Sequence, residues 1–234
     1  MAPQVKEQLP LRVQLRDDAT FDNFYSSDAQ EFASQIKLSA AGAGEQSIFV
    51  SGAAGSGCSH LLQAACHEAE SKGLNSVYLP LDELVNYSPA IFDSLEGLPL
   101  IALDNVQSIA GLPEWEEALF HLFNRVRDSG GRMLFAANNT PDQLGIQLPD
   151  LLSRLVWGLV YTIDESSTEF KMAALQFRAK IRGMDMTDDV AKFVVKNVSG
   201  QMESMFEVLQ KLDNASLSAK KKLSRPFVKT VMAW

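Results

Sequence analysis

The sequence predicts an α/β fold: a five-stranded parallel sheet lies between helices and is followed by a smaller all-helical unit. Short, almost wholly apolar runs recur through the first two thirds of the chain, each bounded by turn residues, as strands buried on both faces do. Amphipathic helical patterns alternate with them. From Glu165 onward the apolar runs stop and only helical periodicity remains. The change of period near Asp164 divides the chain into an N-terminal arm (1–16), an α/β unit (17–164) and a helical unit (165–234).

Residues 1–16 lack periodicity and carry Pro3 and Pro10, so a flexible arm is expected there. Asp17 to Phe24 (DDATFDNF) spaces Phe21 and Phe24 three apart behind polar residues. A helix is expected from about Asp28 to Ala40, with Phe32, Ile36 and Leu38 inward, broken by Ala41–Gly44. Ile48, Phe49 and Val50 form the first strand. A glycine-rich turn follows, then a helix from Ser59 to about Lys72 that Gly73 stops. Ser76–Leu81 is the second strand, with Asp82 as N-cap of a short helix around Glu83–Tyr87. Leu98–Leu103 is the third strand and ends in Asp104. Pro113 opens a helix to Asp128 that places Trp115, Leu119, Leu122, Phe123 and Val126 on one face. Arg132–Ala137 is the fourth strand, closed by Asn138 and Asn139; a short helix over Leu148–Leu155 precedes the fifth, Leu159–Ile163. Helices near 166–182, 187–197, 201–216 and 226–232 complete the chain.

Composition bounds the function. With 234 residues, 46% of them hydrophobic, the chain can bury a substantial core. A net charge of −8 argues against a broad basic surface for duplex DNA, which relies on neutralising phosphates. The two cysteines, Cys58 and Cys66, make no zinc spacing and lie too far apart along one helix to bridge, so reduced thiols in a cytoplasm are expected. His60, His67 and His121 form no metal cluster, and His60 reads as a packed core residue. No signal peptide and no membrane-spanning run is visible.

The chemistry concentrates in Gly52-Ala-Ala-Gly55-Ser-Gly57-Cys58-Ser59-His60. Strand, glycine-rich turn and helix occur in the order required of the phosphate-binding loop G-x-x-x-x-G-K-[ST]. The lysine position holds Cys58. Glycines let successive N–H groups converge on an anion, and the helix start adds free amides and a positive dipole end. Gly52, Ala54, Gly55, Ser56, Gly57, Cys58, Ser59 and His60 are therefore candidate nucleotide-binding residues, and Ser59 can offer its hydroxyl to Mg²⁺. A missing ammonium removes a charge-assisted contact of roughly 1.5–3 kcal/mol, so binding weakens while hydrolysis, which depends on stabilising transition-state charge, suffers more.

Further along, Leu152-Ser-Arg154-Leu-Val-Trp-Gly158 resembles the arginine-finger box of DnaA-type AAA+ proteins, Thr20–Phe24 their base-binding segment, and Leu98–Asn105 a Walker B strand. With the Gln8-Leu9-Pro10-Leu11 arm, the whole chain is similar to the regulatory-inactivator branch of the DnaA-related AAA+ family. No stretch remains for a DNA-binding helix-turn-helix domain. The resemblance implies a module that binds ADP or another nucleoside diphosphate, optionally with Mg²⁺. It implies association through the arm with the DNA-loaded sliding clamp (the β subunit of DNA polymerase III) and stimulation of ATP hydrolysis by DnaA, which represses re-initiation of replication. A homodimer is compatible with AAA+ modules meeting around a nucleotide.

Residue by residue, the resemblance implies base contacts from Phe21 and Phe24, and Mg²⁺ coordination by Ser59 and Asp104. It implies a sensor at Asn138, with Asn139 competing and turn chemistry an alternative for both, and a second sensor at Gln201, where the family carries arginine. Gln8, Leu9 and Leu11 are the expected clamp-binding residues, and Arg154 the catalytic arginine acting in trans. Asn105 replaces the acid that positions the attacking water. The competing functions are an autonomous P-loop ATPase or nucleotide kinase, disfavoured by Cys58 and Asn105, and a helicase-loader-type protein on single-stranded DNA, disfavoured by the acidic balance and the arm. Trp115, Phe120 and Phe123 read as core, and Lys220–Lys222 as a solvated helix end.

Overall fold

A computed structural model describes residues 15–25, 30–198, 202–219 and 222–234. The expected clamp-binding residues Gln8, Leu9 and Leu11, the sensor position Gln201, and Lys220 and Lys221 lie outside the described residues; Lys222 is exposed.

Five parallel strands form one sheet: β1 (Ser47–Gly52), β2 (Ser76–Pro80), β3 (Leu100–Asp104), β4 (Arg132–Ala137) and β5 (Leu159–Ile163). Their spatial order is β2-β3-β4-β1-β5, with β1 pairing both β4 and β5. Side chains alternate between faces along each strand. Phe49, Ile101, Leu103, Met133 and Phe135 point to one side, where α4 (Pro113–Asp128) packs through Trp115, Leu119, Leu122, Phe123 and Val126. Ile48, Val50, Leu100, Ala102, Leu134 and Ala136 point to the other, covered by α1 (Gln30–Ala40) and α2 (Cys58–Ser71). The short helices α3 (Leu81–Leu84) and α5 (Pro149–Leu155) join the cluster on the α4 side through Leu81, Leu84, Leu151 and Leu155. Gly158 passes the start of β1 so closely that a Cβ would overlap the Ser47 carbonyl, so only glycine fits.

After β5 the chain is helical, forming a C-terminal lid region: α6 (Thr168–Ile181), α7 (Asp188–Asn197), α8 (Met202–Ala219) and α9 (Arg225–Met232). Ser167, Thr187 and Ser224 cap α6, α7 and α9 with their side-chain oxygens. These helices share their own apolar cluster, centred on Leu175, Val194, Met205, Leu209 and Leu212.

Four expectations need correction. Leu38 is 47% exposed, because Phe32, Ile36 and Ala40 define the buried stripe of α1 at four-residue spacing and Leu38 falls off it. The short helix after β2 spans Leu81–Leu84 with Pro80 at its N-cap; the Asp82 carboxylate instead accepts from Asn105 Nδ2 at 2.9 Å. The third strand begins at Leu100, after Pro99, which has no N–H to give a ladder. The sheet is not covered throughout: on edge strand β5, Val160 and Thr162 face solvent. Among the described residues, no helix is long and apolar enough to cross a membrane.

Candidate functional site

The glycine-rich turn leaves β1 at Gly52 and enters α2 at Cys58. Gly55 (φ 88°) and Gly57 (φ 98°) occupy the left-handed region, the backbone shape that turns amides toward a common point. No side chain caps α2 and its first turn holds no acid, so its leading N–H groups stay open to an anion. A Cβ on Gly57 would come within 2.7 Å of the Phe24 ring, and one on Gly55 within 2.6 Å of the Glu203 backbone N, so the aromatic segment and the start of α8 both rest on the turn. The Cys58 thiol is buried, 3.3 Å from Ser56 Oγ, and burial pushes its pKa up to about 12. It is neutral at physiological pH and cannot act for a lysine.

Asp104, at the end of β3, is 2% exposed. It accepts hydrogen bonds from the Tyr78 hydroxyl on neighbouring β2 and from the Asn105 backbone N (2.9 Å), and the Ser59 hydroxyl is near enough to favour its ionised form. Burial raises its pKa, and these donors pull it partly back. Burial and the adjacent carboxylate likewise raise the Tyr78 pKa. Ser59 and Asp104 stand together, so the donor set fits a divalent cation held between hydroxyl and carboxylate. Asn105 adopts φ 55°, donates to Asp82, and accepts from Gln107 Nε2 at 3.1 Å; Gln107 Oε1 accepts from the Asn138 backbone N at 3.2 Å. This chain ties the ends of β3 and β4 together. Tyr78, Asp82 and Gln107 were not foreseen from sequence. Tyr78 could be found only from register, which pairs it with Ala102 and so sets it on the Asp104 face.

A cleft of about 780 Å³ runs along the turn and is lined by Gly52 to His60, Asp104, Asn105 and Asn138. Asn139 is not among its lining residues. Arg16, Arg178, Arg182 and Phe206 also face it, and none of them was singled out in the sequence. A small adjoining hollow holds Phe24, Tyr25, Phe170 and Met202 beside Gly55 and Gly57. Phe24 is thus brought to the loop. Phe21 is not: its ring turns toward α1, 5.9 Å from Lys37 Nζ.

His60 is buried as expected, but its position is set by a polar contact. Nε2 lies 2.7 Å from the Thr20 carbonyl oxygen and the ring is 5.9 Å from Phe24. Burial lowers its pKa, so it pins the aromatic segment as a neutral imidazole. Leu15 and Arg16, expected in the free arm, are docked. The Arg16 amide donates to Gln63 Oε1 (2.9 Å) on α2, and its carbonyl meets His67 Nε2 (3.0 Å).

Arg154 lies in the last turn of α5, away from the cleft. Its guanidinium carbon is 5.9 Å from the Phe120 ring, its Nε is buried without a hydrogen-bond partner, and it makes no ion pair among the described residues. Val156 (49%) and Trp157 (45%) are exposed beside it. The segment entering α5 is fixed by Glu116, a carboxylate on α4 only 1% exposed. It accepts from the backbone N of Gly111 (2.7 Å), Gln147 (3.0 Å) and Leu148 (2.7 Å).

The family model of the bacterial DnaA ATPase domain matches residues 15–162, and that of the Hda lid domain matches residues 168–232. Among solved structures, domain III of the replication initiation protein DnaA of Thermotoga maritima superposes with a TM-score of 0.77 at 22% identity, covering 94% of this chain and 98% of that one. AMPPCP-bound DnaA from Aquifex aeolicus gives 0.74 at 22% identity, covering 84% of this chain and 65% of that one. A Thermotoga maritima RuvB variant gives 0.69 at 14% identity, covering 92% of this chain and 71% of that one. At these identities the superpositions establish the AAA+ fold.

Proposed function

Because the chain belongs to the bacterial DnaA ATPase-domain family, with a lid of the Hda type, we propose that it is a nucleotide-holding regulator that completes the active site of a DnaA protomer. The observation that carries this reading is Arg154: a half-buried guanidinium beside exposed Val156 and Trp157, outside the chain's own cleft and without an ionic partner among the described residues. A planar, permanently charged fork offered to another chain's triphosphate can speed phosphoryl transfer by roughly 10³–10⁵.

The chain's own cleft holds ADP or another nucleoside diphosphate on the amides of the turn, with Phe24 at the base side and Mg²⁺ between Ser59 and Asp104. The neutral Cys58 thiol and the engaged Asn105 amide support holding rather than turnover. An arm (1–16) carrying Gln8, Leu9 and Leu11 recruits the DNA-loaded sliding clamp, an α/β unit (17–164) holds nucleotide, and residues 165–234 form the lid. Such a protein works in the cytoplasm, as a negative regulator of replication initiation.

The test is Arg154→Ala in a reconstituted assay of DnaA ATP hydrolysis with clamp loaded on DNA. The variant should retain its melting temperature and ADP affinity and lose stimulation. Full stimulation by Arg154→Ala refutes the role.

A further inference from the structure

Arg178 in the last turn of lid helix α6 and Arg182, the residue that caps its C-terminal end, both line the cleft over the glycine-rich turn. Arg16 lines the same cleft. Two of the three are already engaged. Arg16 pairs with Asp18 at 3.1 Å, and Arg178 reaches the same carboxylate at 3.8 Å while its guanidinium lies 5.1 Å from the Phe206 ring. Arg182 is different. Its Nη1 is buried without a hydrogen-bond partner, and it makes no ion pair among the described residues.

A buried, unsatisfied guanidinium donor is costly unless an anion joins it. Arg16 and Arg182 also work with burial to lower the Arg178 pKa, so the three guanidiniums repel one another and one carboxylate only partly compensates. Of the other cleft carboxylates, Asp104 is buried and already held by Tyr78 and the Asn105 backbone N, while Asp82, Glu203 and Glu207 are exposed and screened by solvent. The glycine-rich turn in the same cleft presents amides but no ammonium, since residue 58 is a cysteine where a standard phosphate loop has lysine.

We propose that Arg182, supported by Arg178, makes the cationic contact to the β-phosphate of the bound nucleoside diphosphate, taking the part that lysine plays in a standard phosphate loop. The fork of a guanidinium matches two phosphate oxygens at once. Because this charge rides on the lid, the diphosphate links lid and sheet, and removing it loosens α6. The proposal rests on the reading of the cleft as a diphosphate site.

The test measures ADP and AMP affinity of the full-length protein and of Arg182→Gln and Arg182→Lys by calorimetry. Arg182→Gln should weaken ADP by about tenfold or more and AMP by less than about threefold, with an unchanged melting temperature without nucleotide. Arg182→Lys, which keeps charge but not the fork, should fall between. Equal ADP affinity in wild type and Arg182→Gln overturns the assignment alone. Parallel loss of ADP and AMP also overturns it, since that marks a packing role. Wild type that takes up no ADP overturns the diphosphate reading and this assignment together.

Discussion

Glu116 offers a sharp test of how the arginine on α5 is held in place. Its carboxylate accepts three backbone N–H groups, from Gly111, Gln147 and Leu148, in a site 1% exposed. Hydrogen bonds to a charged acceptor are worth roughly 1.5–3 kcal/mol each, but the three share one group and do not add. Glu116→Ala strands all three donors and should cost about 3–5 kcal/mol, as removing one member of a buried charged network does. Glu116→Gln keeps one acceptor oxygen and turns an NH₂ toward a donor, for a cost of about 2–3 kcal/mol. Against the 5–15 kcal/mol typical of a domain, both variants should fold. Urea unfolding gives the stability, an ADP titration reports the cleft, and stimulation of DnaA reports Arg154. Stability and stimulation should fall together while ADP affinity holds, because Glu116 does not line the cleft. A Glu116→Gln protein within about 0.5 kcal/mol of wild type would show that the carboxylate does not clamp this loop, since changes that small are typical of surface substitutions.

Three further outcomes follow from the site. The Asp104 pKa is raised in the folded protein, so its ionisation opposes folding: that contribution is favourable below the unfolded value of 3.8 and is lost as pH rises through the folded value. Asp104→Asn should therefore be more stable than wild type at neutral pH, with the gain shrinking as pH approaches 4; thermal melts across pH check this, and lower stability at pH 7 contradicts it. Cys58→Lys should tighten ADP binding by about tenfold or more without creating an efficient ATPase, because Asn105 remains where the water-positioning acid would be; calorimetry and phosphate release measure the two parts. Burial raises both thiols, Cys58 to about 12 and Cys66 to about 11, so a maleimide probe at pH 8 should label the native protein far more slowly than the urea-unfolded chain.

What could be read from the sequence was what is local. Glycines at fixed offsets between an apolar run and a helical pattern announce the phosphate loop, since backbone shape there depends on residues within a few positions. Strand alternation and the proline opening of α4 are local in the same sense. Tyr78 on Asp104 depends on how two strands register, and Arg182 lies far along the chain from the turn it faces; no window of sequence brings either pair together. Phe21 and Phe24 share one segment and look equivalent as sequence. Their fates differ because His60 holds the Thr20 carbonyl, after which Phe24 lies over Gly57 and Phe21 turns toward Lys37. Leu38 was misplaced for a simpler reason: it belongs to the helix but not to its buried stripe.

These placements bear on why such a chain would hold a nucleotide rather than consume it. Hydrolysis needs charge stabilisation at the phosphate and an oriented water in the same cleft. The neutral thiol at Cys58 removes part of the first. The second is weakened twice: residue 105 is an amide rather than a carboxylate, and that amide is tied to Asp82 and Gln107. Arg154, without an ionic partner among the described residues, lies outside the cleft. Under the proposed function, a protomer with a full set of acids supplies the water and the triphosphate, and this chain supplies the cation. Restoring a lysine to its loop should strengthen its grip on ADP without relieving the need for a partner, because the deficit lies in the distribution of groups between two polypeptides and no single substitution in the loop moves Arg154 to the cleft.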